Sequence, residues 1–190
     1  MLPSSDTYAD QISAAVGALL DRQHQTAEDA IAQIAYPRRE VQRRPSPRRR
    51  KQCDVFWRDN FHCRYCGRKT VLSPVMELLA GFFPDDFPFE SDHWRGGVTH
   101  PAFLECSPFI DHVEPGSQSG RWTDDNNLVT ACNVCNTVKA DFTLQTLGWD
   151  LLPIPPSSWD GLARSYRVLW VLAGEPEAQR HTGWMRDLGI

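Results

Sequence analysis

Phe61-His62-Cys63-Arg64-Tyr65-Cys66-Gly67 and Asn126-Asn127-Leu128-Val129-Thr130-Ala131-Cys132-Asn133-Val134-Cys135-Asn136 are the two stretches on which the reading of this chain turns. Each holds a Cys-x-x-Cys pair, and sixty-five residues separate Cys66 from Cys132. Four thiolates satisfy a tetrahedral Zn(II), and a two-residue spacer lets one tight turn present both sulfurs of a pair. Gly67, directly after Cys66, suits a turn that brings backbone close to sulfur. One pair alone would also suit a redox dithiol or buried thiols, but a redox reading leaves the second pair unexplained. Cys63, Cys66, Cys132 and Cys135 are therefore expected to hold one structural zinc. A site closed by four cysteines offers no position for water, so it is a staple and not a catalyst. Cys53 and Cys106 lack such partners. Cys53 fits a helix core position. Cys106 lies near His93 and His100 in sequence, where a buried thiol beside surface histidines is the simpler reading and a second metal site the alternative.

Between the knuckles stands Asp111-His112-Val113-Glu114-Pro115. Phe109 to Val113 is short and apolar enough for a strand, and Leu128 to Ala131 for a second. A polar Gly/Ser loop, Glu114 to Gly120, joins them as an antiparallel hairpin, and a helix follows Cys132 through Lys139. Neighbouring residues on a strand point to opposite faces, so Asp111 and His112 are free to take different roles. A carboxylate holds a hard cation through oxygen, and an imidazole accepts a proton near neutral pH. An Asp-His dipeptide alone is common and decides little.

Taken together, the two knuckles, Asp111-His112-Val113-Glu114-Pro115, the Asn126 to Asn136 run and Lys139 resemble the HNH endonucleases, in particular members with two Cys-x-x-Cys knuckles. The resemblance covers roughly 55 residues, interrupted by an insertion, and the segment Arg48 to Asp59 suits the helix that precedes the first knuckle in such proteins. It implies an α+β fold, a zinc-stapled ββα-metal HNH domain in which a hairpin packs on a helix around a catalytic ion. It further implies that Asp111 ligates that ion, that His112 is the general base, that Asn127 braces the loop and orients the histidine, and that Asn136 contributes to the metal site. The residues would form an H-N-N version of the motif. Mg(II) or Mn(II) is the cation such oxygen donors suit. Two departures stand out: the long gap between Gly67 and Asp111, and Ala140 where relatives carry Gly. Alanine enters the left-handed region at a cost, so the helix is expected to continue through it.

Charge is uneven along the chain. The net value is -4, yet Arg38 to Lys51 holds eight Arg or Lys against Glu40, a local +7 that leaves -11 on the rest. A local basic run binds a polyanion irrespective of the total, since counterion release depends on local phosphate contacts. Arg48, Arg49, Arg50, Lys51, Arg64, Arg68, Arg121 and Lys139 are the candidate DNA contacts. Lys139 is expected to be exposed. Glu114 stands next to the histidine, with solubility as its alternative role.

The expected layout is a helical segment over 1–37, a basic linker over 38–47, the nuclease domain over 48–147 with an insertion at about 70–105, and a Pro-rich connection with one helix over 148–190. In the first segment Tyr8, Ile12, Ala15, Val16, Leu19 and Leu20 form the apolar stripe, with Ser4, Ser5 and Asp6 as cap candidates. A second short helix would carry Ala27, Ala30, Ile31 and Ile34, with Thr26 and Asp29 as a weak cap. The insertion, with Asp85, Asp86, Glu90 and Asp92, would repel DNA if exposed beside the cleft, as a regulatory lid would. Ser157 or Ser158 is expected to cap the last helix, which would bury Trp159, Leu162, Tyr166, Leu169 and Trp170. No apolar run is long enough to cross a bilayer and no leader pattern opens the chain, so a cytoplasmic protein is expected. DNA is the expected partner, with RNA, a homodimer or a regulatory protein as alternatives. A noncatalytic zinc-dependent DNA-binding or adaptor protein, and a toxin-like nuclease acting on RNA or DNA, are the competing functions.

Overall fold

A computed structural model describes residues 7–33, 47–90, 98–116, 121–122 and 124–190. Expectations for Ser4 to Asp6, Ile34, the basic residues 38–46, Asp92, His93 and the loop 117–120 lie outside these. The chain divides into two units, one formed mainly by residues 1–43 and one by 44–145 with 149–190.

The first unit is a helical hairpin of α1 (Thr7–Leu20) and α2 (His24–Ala32). Its seam is made of Ala15, Ala18, Ala27 and Ala30. The larger residues of the expected stripe, Ile12, Val16, Leu19 and Leu20, are exposed instead. Alanines let two backbones approach closely, which selects the small side chains for the seam. The N-terminal position of α2 is Gln23, without a side-chain cap, so the Thr26–Asp29 arrangement is not used as one.

The second unit is built on α3 (Arg49–Arg58), α4 (Ser73–Phe82), α5 (Pro101–Cys106), β1 (Pro108–His112), β2 (Leu128–Cys132), α6 (Asn133–Lys139), the start of the single turn α7 (Leu144–Leu147), α8 (Ala163–Leu172) and α9 (Ala178–Leu188). Pro74 and Pro101 open α4 and α5, where a missing N–H costs nothing. The main core joins α3 (Cys53, Phe56), Phe61, Leu72 with α4 (Val75, Leu78), α8 (Ala163, Tyr166) and α9 (Met185, Leu188). Each fully buried large apolar side chain there contributes about 1.5–3 kcal/mol. Two expectations are corrected by this packing. The segment after the first knuckle, expected as an insertion, supplies Leu72, Val75 and Leu78 to the core and is not only a surface loop or lid. The C-terminal region holds two helices, not one, and they complete the core of the second unit. The first of them starts at Ala163, where Asp160 accepts hydrogen bonds from the N–H groups of Leu162 and Arg164; Ser157 receives only the N–H of Trp159. Gly161, with φ +62°, lies against the Phe61 ring in a place that a Cβ would overlap.

The sheet is the antiparallel pair β1–β2, in the register Pro108↔Cys132, Ile110↔Thr130 and His112↔Leu128. Strand β2 is buried along its length, as its run Leu-Val-Thr-Ala-Cys requires. Helix α6 follows without a break and ends at Lys139. Ala140 then adopts φ 41°, so the helix stops where continuation was expected, and its N–H still reaches the carbonyl of Asn136. Among the described residues no helix is long and apolar enough to cross a membrane.

Candidate functional site: a thiolate staple beneath an Asp-His strand

The first knuckle turns sharply. Asn60 and Phe61 both have positive φ, the N–H of Cys63 bonds to the carbonyl of Arg68 at 2.8 Å, and Gly67, at φ +73°, returns its N–H to the carbonyl of Cys63 at 2.9 Å. The second pair straddles the end of β2 and the first turn of α6. The four sulfurs of Cys63, Cys66, Cys132 and Cys135 lie within 4.8 Å of one another, with Cys66 and Cys132 3.9 Å apart. A tetrahedron with metal–sulfur bonds of about 2.3 Å has edges of about 3.8 Å, so this cluster fits a structural zinc site. Without a cation such crowding is unfavourable for thiolates. Hydrogen bonding to Cys132 and then burial push the Cys63 thiol up, and burial followed by the charge of Cys63 raises Cys135 to about 12. Cys53, in the core, is likewise held at about 12 by burial.

Asp59 binds the surrounding elements together. It is fully buried, and its Oδ2 accepts the N–H of Thr130 on β2 at 2.7 Å and Nη2 of Arg58 at 3.1 Å, while its Oδ1 accepts Nε of Arg58 at 2.9 Å and Nη1 of Arg64 at 3.2 Å. Arg64, a candidate DNA contact, is turned inward, with Nε on the carbonyl of Leu152 at 2.7 Å.

At the far end of β1, Asp111 and His112 separate as the strand requires. Asp111 is buried, and its Oδ2 accepts the hydroxyl of Tyr65 at 2.5 Å and pairs with the ammonium of Lys139 at 3.0 Å. Burial, reinforced by the Asp111 charge, pushes the Tyr65 hydroxyl far up, so it stays protonated and donates. The Lys139 ammonium also donates to the carbonyl of His112 at 2.6 Å. Lys139 is fully buried, a correction to the expected exposed lysine: an acid on the facing strand end is what draws it in. The signal available in the sequence was its place in the last turn of the helix that follows the hairpin.

His112 is half-buried. Its Nε2 lies 3.2 Å from the carbonyl oxygen of Trp122, and its ring meets the Trp122 ring edge-on at 4.3 Å. A carbonyl only accepts, so Nε2 is the donor of this contact, and in the neutral ring Nδ1 would then hold the lone pair. Gly116 lies against the Trp122 ring, and a Cβ there would overlap the indole. Asn127 spans the same loop: Oδ1 accepts the N–H of Glu114 at 2.7 Å, and Nδ2 donates to the carbonyls of Glu114 and Arg121 at 3.1 Å each. Asn136 is half-buried on α6, four residues after Cys132. Glu114 is exposed.

The other candidate DNA contacts divide by their surroundings. Arg49 faces inward, on Asp187 at 2.6 Å and over the Trp184 ring at 5.0 Å. Arg68 pairs with Glu105 at the surface, and Arg121 is exposed with Asp124 at 3.8 Å. Arg48, Arg50, Lys51 and Arg58 line a groove of about 420 Å³ with Asp54, Val55 and Asp125. Arg58, missed in the sequence, also donates to the carbonyls of Asp125 and Leu128, which ties this groove to the loop that Asn127 braces.

A buried Asp beside a His at the end of a hairpin, a helix running directly from that hairpin and a four-cysteine staple across the junction define a zinc-stapled ββα module. Residues 108–142 match the family described as HNH endonuclease, and the four-cysteine cluster fits the zinc knuckles expected from the sequence. Comparison with curated proteins and with solved structures gave no match.

Proposed function

We propose that this protein is a metal-dependent DNA endonuclease in which His112 activates water and Asp111 holds the catalytic cation. The observation that carries the reading is the contact of His112 Nε2 with the Trp122 carbonyl: a neutral ring that donates there has Nδ1 as its base. The family match supports nuclease chemistry in general, and the remaining assignments rest on the residues themselves.

Asp111 and Asn136 offer hard oxygen donors suited to Mg(II) or Mn(II), and with Oδ2 of Asp111 engaged by Tyr65 and Lys139, Oδ1 would be the oxygen to hold the cation. When bound, such an ion neutralises charge on a scissile phosphate and on its leaving oxygen. His112 Nδ1 takes the proton from the attacking water, and the Trp122 carbonyl stabilises the imidazolium that results. Lys139, through the His112 carbonyl, keeps the backbone of the base fixed. Asn127 holds the loop that carries Trp122. The four cysteines hold zinc, and through it the hairpin and α6. The groove of Arg48, Arg50, Lys51 and Arg58, four cations against two carboxylates, suits a phosphate backbone leading toward that loop.

The test is cleavage of supercoiled plasmid with Mg(II) or Mn(II) by wild type and His112→Ala at equal zinc content. A general base contributes about 10²–10⁴-fold, so the variant should fall by that factor. Equal cleavage by both would reject His112 as the base. DNA binding without cleavage by either would favour an adaptor.

A further inference from the structure

Tyr65 lies between the two cysteines of the first knuckle, and the mechanism above uses it only in passing. Its ring is buried with Cys63, Val129, Ala131 and Cys132 and meets Trp149 at 5.6 Å. Its backbone is fixed by the turn that presents Cys63 and Cys66. Its hydroxyl, in turn, reaches 2.5 Å to the Oδ2 of Asp111, forty-six residues away. A buried carboxylate with both oxygens unconstrained would rotate about its last torsion, because that torsion is broad. A rigid donor on one oxygen fixes the direction of the other.

We propose that Tyr65 is a positioning residue for the catalytic cation: it carries the geometry of the zinc knuckle to Asp111 and aims Oδ1 at the metal. This rests on the assignment of Asp111 as a metal ligand. The staple then has a second consequence besides holding the fold. It sets the orientation of a metal ligand through one hydroxyl, and Lys139, from the last turn of α6, shares the same oxygen.

The experiment uses Tyr65→Phe, Asp111→Asn and the double variant in the full zinc-loaded chain. Mn(II) affinity is read by electron paramagnetic resonance titration and, independently, as the Mn(II) midpoint of plasmid cleavage. Phenylalanine keeps the ring packing on Trp149, so zinc content and thermal midpoint serve as folding controls. Groups that orient a metal ligand typically cost about 10–100-fold in affinity when removed, and Tyr65→Phe should weaken Mn(II) by that factor in both readouts. Asp111→Asn should weaken it as well. The double variant should be no more than about twofold weaker than Asp111→Asn, since Tyr65 acts only through that carboxylate. Mn(II) binding and midpoint unchanged in Tyr65→Phe, with Asp111→Asn impaired, would overturn the positioning role and leave the nuclease reading standing. Independent, multiplying effects would overturn it too. An Asp111→Asn protein that binds Mn(II) like wild type would remove Asp111 as a ligand, and the positioning role with it.

Discussion

Replacing Asp59 tests whether the unit is held together as described. In Asp59→Ala, four donors lose their acceptor: the Thr130 N–H at 2.7 Å, two guanidinium contacts from Arg58 and one from Arg64. Breaking a buried ion pair by removing one partner costs about 3–5 kcal/mol. The Arg58 side chain, 36% exposed, regains water at little cost, whereas that of Arg64, 13% exposed, regains less, so the ionic part belongs near the lower limit. The orphaned Thr130 N–H, inside a fully buried strand, adds about 1 kcal/mol or more. Asp59→Ala should thus lose about 4 kcal/mol. Asp59→Asn retains an acceptor for Thr130 and should lose about 2–3 kcal/mol. The assay is urea unfolding at saturating zinc, followed by far-ultraviolet circular dichroism and tryptophan fluorescence. At roughly 2–4 °C per kcal/mol for a body of this size, the alanine variant should melt about 10 °C lower. A loss below about 1 kcal/mol in Asp59→Ala would refute the argument, because a desolvated carboxylate with those partners cannot be so weakly coupled to the fold.

Stripping zinc with a strong chelator should unfold the hairpin and the first knuckle, since structural zinc supplies about 10–16 kcal/mol in comparable modules. Loss of near-ultraviolet ellipticity, with about one zinc released per chain, checks it. Gly116→Ala should displace the Trp122 ring and lower plasmid cleavage by about 10²-fold, the scale of a 1 Å misplacement of a catalytic group, while its urea midpoint changes little. Burial, aided by the Arg180 charge and opposed by Glu177, holds the His181 pKa below its usual 6.5. Its neutral Nδ1 meets the Tyr166 hydroxyl at 2.6 Å beside the Glu77–Arg180 pair. The folded state thus binds fewer protons than the unfolded one. This stabilisation is present above pH 6.5 and is lost as pH falls through the depressed value. A urea series from pH 7.5 to 5 should show it, and His181→Gln should flatten that part of the curve.

The parts of the site legible in the sequence were those whose chemistry fixes short spacings. Two sulfurs on one turn demand Cys-x-x-Cys, and the Asp-His pair needs only a strand. The hairpin and α6 followed from the same runs. What stayed illegible depended on partners far along the chain. Phe56 and Phe61 meet Met185 and Leu188 in one core, yet no local pattern connects them. Lys139 reads as a surface lysine until a carboxylate from β1 stands beside it. Arg64 reads as a phosphate contact until Asp59 is known to be buried. Ala140 reads as helix former, yet the chain must turn away after Lys139, and that requirement overrides its preference.

The order in which these parts leave the ribosome has its own consequence. The first thiol pair emerges sixty-six residues before Cys132, and Met185 and Leu188, which close the core over α3 and α4, come some fifty residues after Cys135. At about 5–20 residues per second, the early cysteines wait several seconds for their partners, and the core waits longer. A nascent chain that already displays Asp111 and His112 therefore lacks the packing that holds Phe56, Phe61 and Leu72 in place. Strand β1 is synthesised in the middle of the chain but acquires its support from residues made later, which delays assembly of the proposed site until synthesis has passed Leu188.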